Sequence, residues 1–243
     1  MKKNIGFFSL IIFSISSIFS NFLNFIKICS VPFLLCFPAF YLQYYIVSET
    51  SLNKIVGMFI MSTGLFMMPM FFAFLTNWHR FIIFDGKKPW EFKLIEFSNN
   101  TLKFTIAAII ILIFITIPYA VLTFLSFYIS AKFKLTFWII PTTGWILMLL
   151  YFYLYSKLAL IFPAAAAGHS ISLKRVFALS KGYFWKILGG FLTFIITSII
   201  VKKIITITFG YSIYLSPFLF IIDFVLFAMN ASWLSRIYRD IKS

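Results

Sequence analysis

Few side chains in this sequence could do chemistry, and the clearest group is Trp78-His79-Arg80. An arginine guanidinium matches phosphate oxygens with paired hydrogen bonds, and tryptophan favours the headgroup level of a bilayer. The run therefore predicts a phosphate contact by Arg80, assisted by His79, with ordinary membrane anchoring as the alternative. Catalysis by His79 would need a carboxylate to orient the ring, and Asp85 could supply one only if the intervening loop folded back.

A second candidate is Asp223, an acidic residue inside a long apolar stretch, with Asn230 seven residues further on. A charge at the centre of a membrane helix costs roughly 2.5 kcal/mol or more. A helix that starts near Pro217 would place Asp223 about 10 Å deep. One interpretation is a proton or cation site in a transporter. A second is a structural contact to Lys202, Lys203 or a hydroxyl group of a neighbouring helix, and a third is an exposed residue near the outer headgroups. The scarcity of polar residues argues against an ion-coupled pump.

A third candidate is the segment 173–187, in which basic residues alternate with apolar ones at helical spacing. Its basic residues are Lys174, Arg175, Lys181 and Lys186. The pattern is typical of an amphipathic helix on a membrane surface, where each basic residue gains about 1 kcal/mol from anionic lipid. A generic polar loop is the alternative.

The elements that must position these residues are long apolar helices. The 243-residue chain is 62% hydrophobic and 11% charged, whereas ordinary globular chains carry about 25% charged residues. Uncharged stretches cover residues 28–48, 55–79, 104–131 and 135–156, and roughly 20 apolar residues suffice to cross a bilayer as a helix. The sequence therefore predicts an all-α, polytopic transmembrane bundle, folded as a single integral membrane domain over residues 1–243.

Six membrane spans are predicted, interrupted by prolines that should kink the helices without breaking them. They lie near residues 28–47, 55–75, 104–129, 137–162, 183–201 and 216–236. Lys202 and Lys203 should make the fifth span short or tilted. Residues 1–24 predict an interfacial helix with a serine-rich face, while a cleaved signal peptide and an extra span are the alternatives.

The net charge of +15 reflects membrane orientation, because the basic residues lie at the ends of apolar runs and form no nucleic-acid-binding stripe. The positive-inside rule places both termini in the cytoplasm. Only five of the 21 basic residues then lie outside: Lys54, Lys132, Lys134, Lys202 and Lys203. We expect a multi-pass protein of a bacterial inner membrane, with anionic lipids at its inner face, and with membrane-protein partners or a second copy as further possible contacts.

Several short aromatic segments together carry a resemblance to known proteins. They are residues 78–80 (WHR), 158–166 (LALIFPAAA), 172–175 (SLKR), 180–186 (SKGYFWK) and 232–239 (SWLSRIYR). The chain from about Pro32 onward resembles a family of bacterial six-span inner-membrane proteins. These are distantly similar to YciC-like proteins and to the membrane domain of some glycerophosphodiester phosphodiesterases.

The resemblance implies a helical membrane fold and no particular activity, because the phosphodiesterases owe their chemistry to a separate barrel domain. Similar proteins often carry an Arg where this sequence has Tyr155-Ser156-Lys157. Lys157 keeps a positive charge nearby, but paired hydrogen bonding to phosphate would be lost.

No phosphate-binding loop, HExxH, CxxC or GxSxG motif occurs in the sequence. Cys29 and Cys36 lie seven residues apart on one helix, too far for a disulfide, with no further ligands nearby for a metal. We therefore expect no catalytic residues, no metal and no cofactor. The predicted function is binding of lipids or partner proteins at the envelope. The alternatives are a small transporter or lipid-translocating protein and, third, an enzyme acting on lipid headgroups.

Overall fold

The fold is an all-α bundle, as predicted. A computed structural model describes residues 6–48, 54–86, 99–133, 136–169, 172–210 and 215–242, and within these ranges it contains helices and no strand. The helices are α1 (Phe7–Phe19), α2 (Phe22–Ser48), α3 (Lys54–Ile83), α4 (Asn99–Phe133), α5 (Thr136–Leu158), α6 (Ile161–Ala166), α7 (Leu173–Ser180), α8 (Phe184–Phe209) and α9 (Ser216–Lys242).

Several of these helices are long and apolar enough to cross a bilayer. Within the described residues, four segments qualify: Asn99–Ser130, Pro141–Ala166, Phe184–Phe209 and Phe218–Lys242. A fifth qualifies if α1 and residues Phe22–Pro38, which meet at an angle of 75°, count as one broken span. The chain is therefore a multi-pass membrane protein. The predicted spans near residues 28–47 and 55–75 lie within α2 and α3.

Two predicted spans differ from the helices observed. The fourth forms one span over Pro141–Ala166 and so includes residue 162, but a short turn between Leu158 and Ile161 divides it into α5 and α6. Pro163 lacks the N–H that would bond the carbonyl of Ala159, and its ring crowds that carbonyl, so the helix breaks there. The fifth is longer than expected, since α8 continues to Phe209. Elsewhere, as predicted, prolines such as Pro118 lie inside unbroken helices.

Consecutive long helices run antiparallel, as two polar contacts show. Ser126 of α4 and Thr143 of α5 are joined through their hydroxyl groups at 2.6 Å. Lys202 of α8 meets Asp223 of α9 at 2.6 Å. As a result, the starts of α2, α4 and α8 lie at the same end of the bundle as the ends of α3, α5 and α9. We call this the packed end, and the opposite one the far end.

The packed end holds most of the buried core. There α6, whose Ala164, Ala165 and Ala166 are buried, packs against α3, α4 and α9. Small residues of this kind let helices approach closely in a membrane protein. Toward the far end the helices separate and expose apolar side chains; Phe124 of α4, for example, is 73% exposed. The far half therefore offers lipid-facing surface, while the packed end offers a rigid frame for polar groups.

Helix α1 crosses the packed end. The Phe7 ring lies 5.1 Å from the Trp233 ring of α9, and the Ser17 hydroxyl lies 2.9 Å from that of Ser232. These contacts advance about 15 Å along α1 at 1.5 Å per residue, yet they stay within one turn of α9. Such a crossing is what an interfacial helix would make with a spanning one. Its exposed residues include Ser9, Ser16, Ser20, Phe8, Ile12 and Phe19.

Candidate functional site

Trp78 belongs to the interior. Its side chain is fully buried and stacks on Phe81 with ring centroids 5.4 Å apart. The indole Nε1 donates to the Ala228 carbonyl and to the Ser232 hydroxyl, each at 2.9 Å. Trp78 therefore joins α3 to α9, and its burial does not fit the predicted anchoring at headgroup level.

His79 faces the same way and is 2% exposed. Its Nδ1 lies 2.7 Å from the Ser235 hydroxyl, and its ring packs beside Phe104. Asp85, the carboxylate considered as a partner for catalysis, instead forms an ion pair with Arg239. His79 is thus held by a serine in the interior, and among the described residues it has neither the orienting carboxylate nor the access that a catalytic base would need.

Arg80 does not share the buried environment of Trp78 and His79. It is half-buried, and within the described part of the chain no carboxylate forms an ion pair with it. The structure therefore does not bring the three predicted residues together around one ligand. Successive residues of a helix point about 100° apart, so a run of three cannot share one face.

Asp223 has the structural contact that the sequence offered as one alternative. Lys202 lies 2.6 Å from its carboxylate, and Ser198 donates to it at 3.4 Å. Both side chains of the ion pair are partly exposed, at 32% for Lys202 and 27% for Asp223. The lysine that seemed to end the apolar stretch thus compensates the acid on the adjacent helix, and α8 continues past it.

Asn230 lies on the same face of α9 as Asp223, as predicted, and both line one cleft between α8 and α9. The cleft has a volume of about 120 Å³ and includes Ser198 and several aromatic side chains. Asn230 donates through Nδ2 to the Tyr155 hydroxyl at 2.8 Å, while its buried Oδ1 has no protein partner among the described residues. The cleft could accept one hydrogen-bond donor there.

The predicted basic surface helix over residues 173–187 is present in part: α7 ends at Ser180, and residues 184–187 begin α8 after a short turn. Val176 and Ser180 are buried against the bundle, while Lys174, Arg175 and Lys181 are exposed. The helix is therefore amphipathic in the predicted sense, although its buried side rests on protein. Just beyond it, Trp185 is 77% exposed, as expected of an aromatic anchor at a membrane surface.

A cluster that the sequence did not predict surrounds His169. Its Nδ1 lies 2.9 Å from the Tyr238 hydroxyl, and its Nε2 lies 3.0 Å from the Lys242 ammonium. Lys103 of α4 donates at 3.0 Å to the carbonyl of the adjacent Gly168. The partners of this loop lie 65 to 73 residues away, so sequence spacing gave no signal.

Partial burial and nearby charge lower the pKa of His169 below its ordinary value of 6.5. Removal from water contributes most, followed by the positive charges of Lys242, Arg175 and Lys103. Each disfavours the protonated ring. His169 is therefore neutral at pH 7, at the centre of a positively charged group drawn from α4, α7 and α9.

The packed end as a whole is strongly basic. In the described residues it carries two carboxylates, both paired: Asp85 with Arg239, and Asp240 with Arg236. Many more basic residues lie there, and several are neutralised by neither acid. These include Arg80, Lys103, Lys157, Lys174, Arg175, Lys181 and Lys242. This end therefore has a net positive charge, which favours contact with anions.

Within the described ranges, no group of three His, Cys, Asp or Glu residues could hold a metal ion. Comparison with protein-family models, with curated proteins and with solved structures gives no match for this chain. The relationship to the six-span inner-membrane proteins therefore stays a prediction from the short sequence segments.

Proposed function

We propose that this multi-pass membrane protein binds anionic lipid headgroups at its packed end, which faces the cytoplasm, and has no catalytic activity of its own. The observation that carries the proposal is the exposed basic face of α7, where Lys174, Arg175 and Lys181 project from a helix fixed to the bundle. Trp185 lies at the same level, as an anchor.

The strength of this interaction follows from the charges. A basic residue near an anionic leaflet gains about 1 kcal/mol, which enriches anionic lipid beside it about fivefold. The position of α7 is already fixed by burial of Val176, so little conformational entropy is lost when lipid binds. A rigid basic face should therefore select charged over neutral headgroups.

The cytoplasmic orientation rests on the same residues. Basic residues are in excess at the packed end, and the positive-inside rule places such an end in the cytoplasm. Partner proteins or a second copy could bind there together with lipid. Catalysis is left out of the proposal because His79 is enclosed and Asp85 is engaged with Arg239.

The test is native mass spectrometry of the full chain released from nanodiscs with equal amounts of phosphatidylglycerol and phosphatidylcholine. The native protein should retain phosphatidylglycerol preferentially. The variant Lys174→Gln/Lys181→Gln should lose most of that preference, since two contributions of about 1 kcal/mol are removed.

A matched control removes the same charge at the far end, in Lys132→Gln/Lys203→Gln, and should keep the preference. Equal retention of the two lipids by the native protein would contradict the proposal. So would an unchanged preference in the α7 variant.

A further inference from the structure

The loop formed by Gly168 and His169 is held between two helices. Lys103 of α4 binds the Gly168 carbonyl, and Tyr238 and Lys242 of α9 bind the two ring nitrogens of His169. Gly168 has a φ of +84°, a backbone conformation that favours glycine. The loop therefore presents His169 in a fixed position at the packed end.

The hydrogen bonds determine which tautomer of His169 is present. The ammonium of Lys242 can only donate, so Nε2 must accept and the ring proton lies on Nδ1. Nδ1 then donates to the Tyr238 hydroxyl. The neutral ring thus accepts a hydrogen bond from Lys242 and donates one to Tyr238, and it adds no charge of its own to the cluster.

Much of the donor capacity around the loop remains unused. Lys103 and Lys242 each have three N–H donors, and each uses one of them in a hydrogen bond to the loop. Arg175 adds five donors from an exposed side chain. In the described part of the chain none of these three residues forms an ion pair with a carboxylate. Three positive charges around one loop, with unused donors, favour contact with an anion.

We propose that Lys103, Arg175 and Lys242, arranged around His169, form a binding site for a phosphate group. The inference rests on the proposed lipid-binding function and deepens it, because the phosphate of a lipid headgroup is one source and free phosphate is the other. Phosphate suits the site, since its several acceptor oxygens can take donors from α4, α7 and α9 at once and Arg can bind two of them.

The pKa of His169 should report whether an anion is bound at this site. The positive charges of Lys103, Arg175 and Lys242 help to keep the pKa of His169 below 6.5, and a bound anion would offset them and raise that pKa. The charged or titratable groups near the ring are Lys103 on α4, Arg175 on α7, and Tyr238 and Lys242 on α9. Because protonation of His169 and anion binding favour each other, a phosphodiester headgroup, whose charge does not change in this range, should bind more tightly as the pH falls through the pKa of His169.

The experiment is NMR of the full chain with ¹³C-labelled histidine in micelles of a neutral detergent. The protein has two histidines, and the enclosed His79 serves as a reference for folding. The His169 signal is titrated between pH 5 and 8 in the presence of phosphatidylglycerol, of inorganic phosphate, or of neither. Anion binding should raise the His169 pKa by about one unit, equivalent to tenfold tighter binding to the protonated ring.

The outcomes separate the sources. A shift with phosphatidylglycerol alone identifies a lipid site, and a shift with both identifies a general phosphate site. A shift with inorganic phosphate alone supports the site and excludes the lipid headgroup as its ligand. No shift with either overturns the proposal.

Variants separate this site from the exposed face of α7. Lys103→Gln/Lys242→Gln should abolish the anion-dependent shift while the His79 signal stays unchanged. Lys174→Gln/Lys181→Gln should keep the shift, and equal responses of the two variants would contradict the assignment. If lipid preference fails in mass spectrometry but His169 still responds to inorganic phosphate, the proposed function fails and the anion site stands.

Discussion

At the scale of single residues, what could be predicted depended on where the partner lies. Asp223 has a compensating lysine 21 residues earlier on the adjacent helix, and a contact to Lys202 was among the expected alternatives. Trp78 could not be assigned in this way, because its partners Ala228 and Ser232 follow 150 and 154 residues later. A tryptophan at the end of an apolar run resembles an interfacial anchor until the packing of α9 is known.

The two hydrogen bonds of the Trp78 indole should contribute measurably to stability. In Trp78→Phe the ring is retained in part, but the Ala228 carbonyl loses this donor and the larger pocket is underfilled. We expect destabilisation of about 1–3 kcal/mol, because a buried donor with two acceptors is lost and the smaller ring leaves a cavity. Thermal unfolding in detergent measures it. Trp185→Phe, at a side chain 77% exposed, is the control and should leave the midpoint unchanged; equal shifts would show that Trp78 is not a structural centre.

At the scale of elements, the sequence predicted the existence of the long helices better than their ends. Apolar length locates a helix in a membrane, but it does not show where the helix stops when the next residues are also apolar. Pro163 ends α5 early because the backbone loses a hydrogen bond there, within a run that hydropathy alone reads as continuous. Lys202 does not end α8, because the ion pair with Asp223 compensates its charge.

The contact between α8 and α9 depends on a small residue opposite a large one. A Cβ added at Gly190 would lie 2.3 Å from the Trp233 ring, which is fully buried and also packed against Phe7 and Phe194. We expect Gly190→Ala to destabilise the bundle by about 1–3 kcal/mol, as overpacking does.

The measurement is the thermal unfolding midpoint of purified Gly190→Ala, which should be lower than that of the native protein. Gly144→Ala, where an added Cβ meets nothing within 4 Å, is the matched control. It should leave the midpoint unaltered or raise it slightly, because alanine favours a helix over glycine by about 1 kcal/mol. A tolerated Gly190→Ala would contradict the packing of α8 against α9.

At the scale of the whole molecule, the sequence predicted the distribution of charge but could not place the individual charges. Counting basic residues at the ends of apolar runs gave an orientation without any contacts. The cluster around His169 was invisible to that count because α4, α7 and α9 meet only in the folded bundle. A surface assembled from distant segments has no sequence period by which to recognise it.

The orientation can be tested by labelling single cysteines in intact inner-membrane vesicles. In a Cys29→Ala/Cys36→Ala background, Lys181→Cys at the packed end should react with a membrane-impermeant maleimide from the cytoplasmic side. Lys132→Cys at the far end should react only from the opposite side. The reverse labelling pattern would show that the packed end faces away from the cytoplasm, so that α7 could not contact the anionic cytoplasmic leaflet.

The docking of α1 on α9 has a consequence for synthesis. Helix α1 leaves the ribosome well before its partner, because Ser17 binds Ser232, which follows 215 residues later. At about 5–20 residues per second, that delay lasts about 10–40 s. During this time α1, including the Phe7 ring, lies at the membrane surface with the side that packs against α9 still exposed. Helix α9 thus completes the burial of α1, and a chain truncated before α9 would expose an apolar segment to the quality-control machinery of the cell.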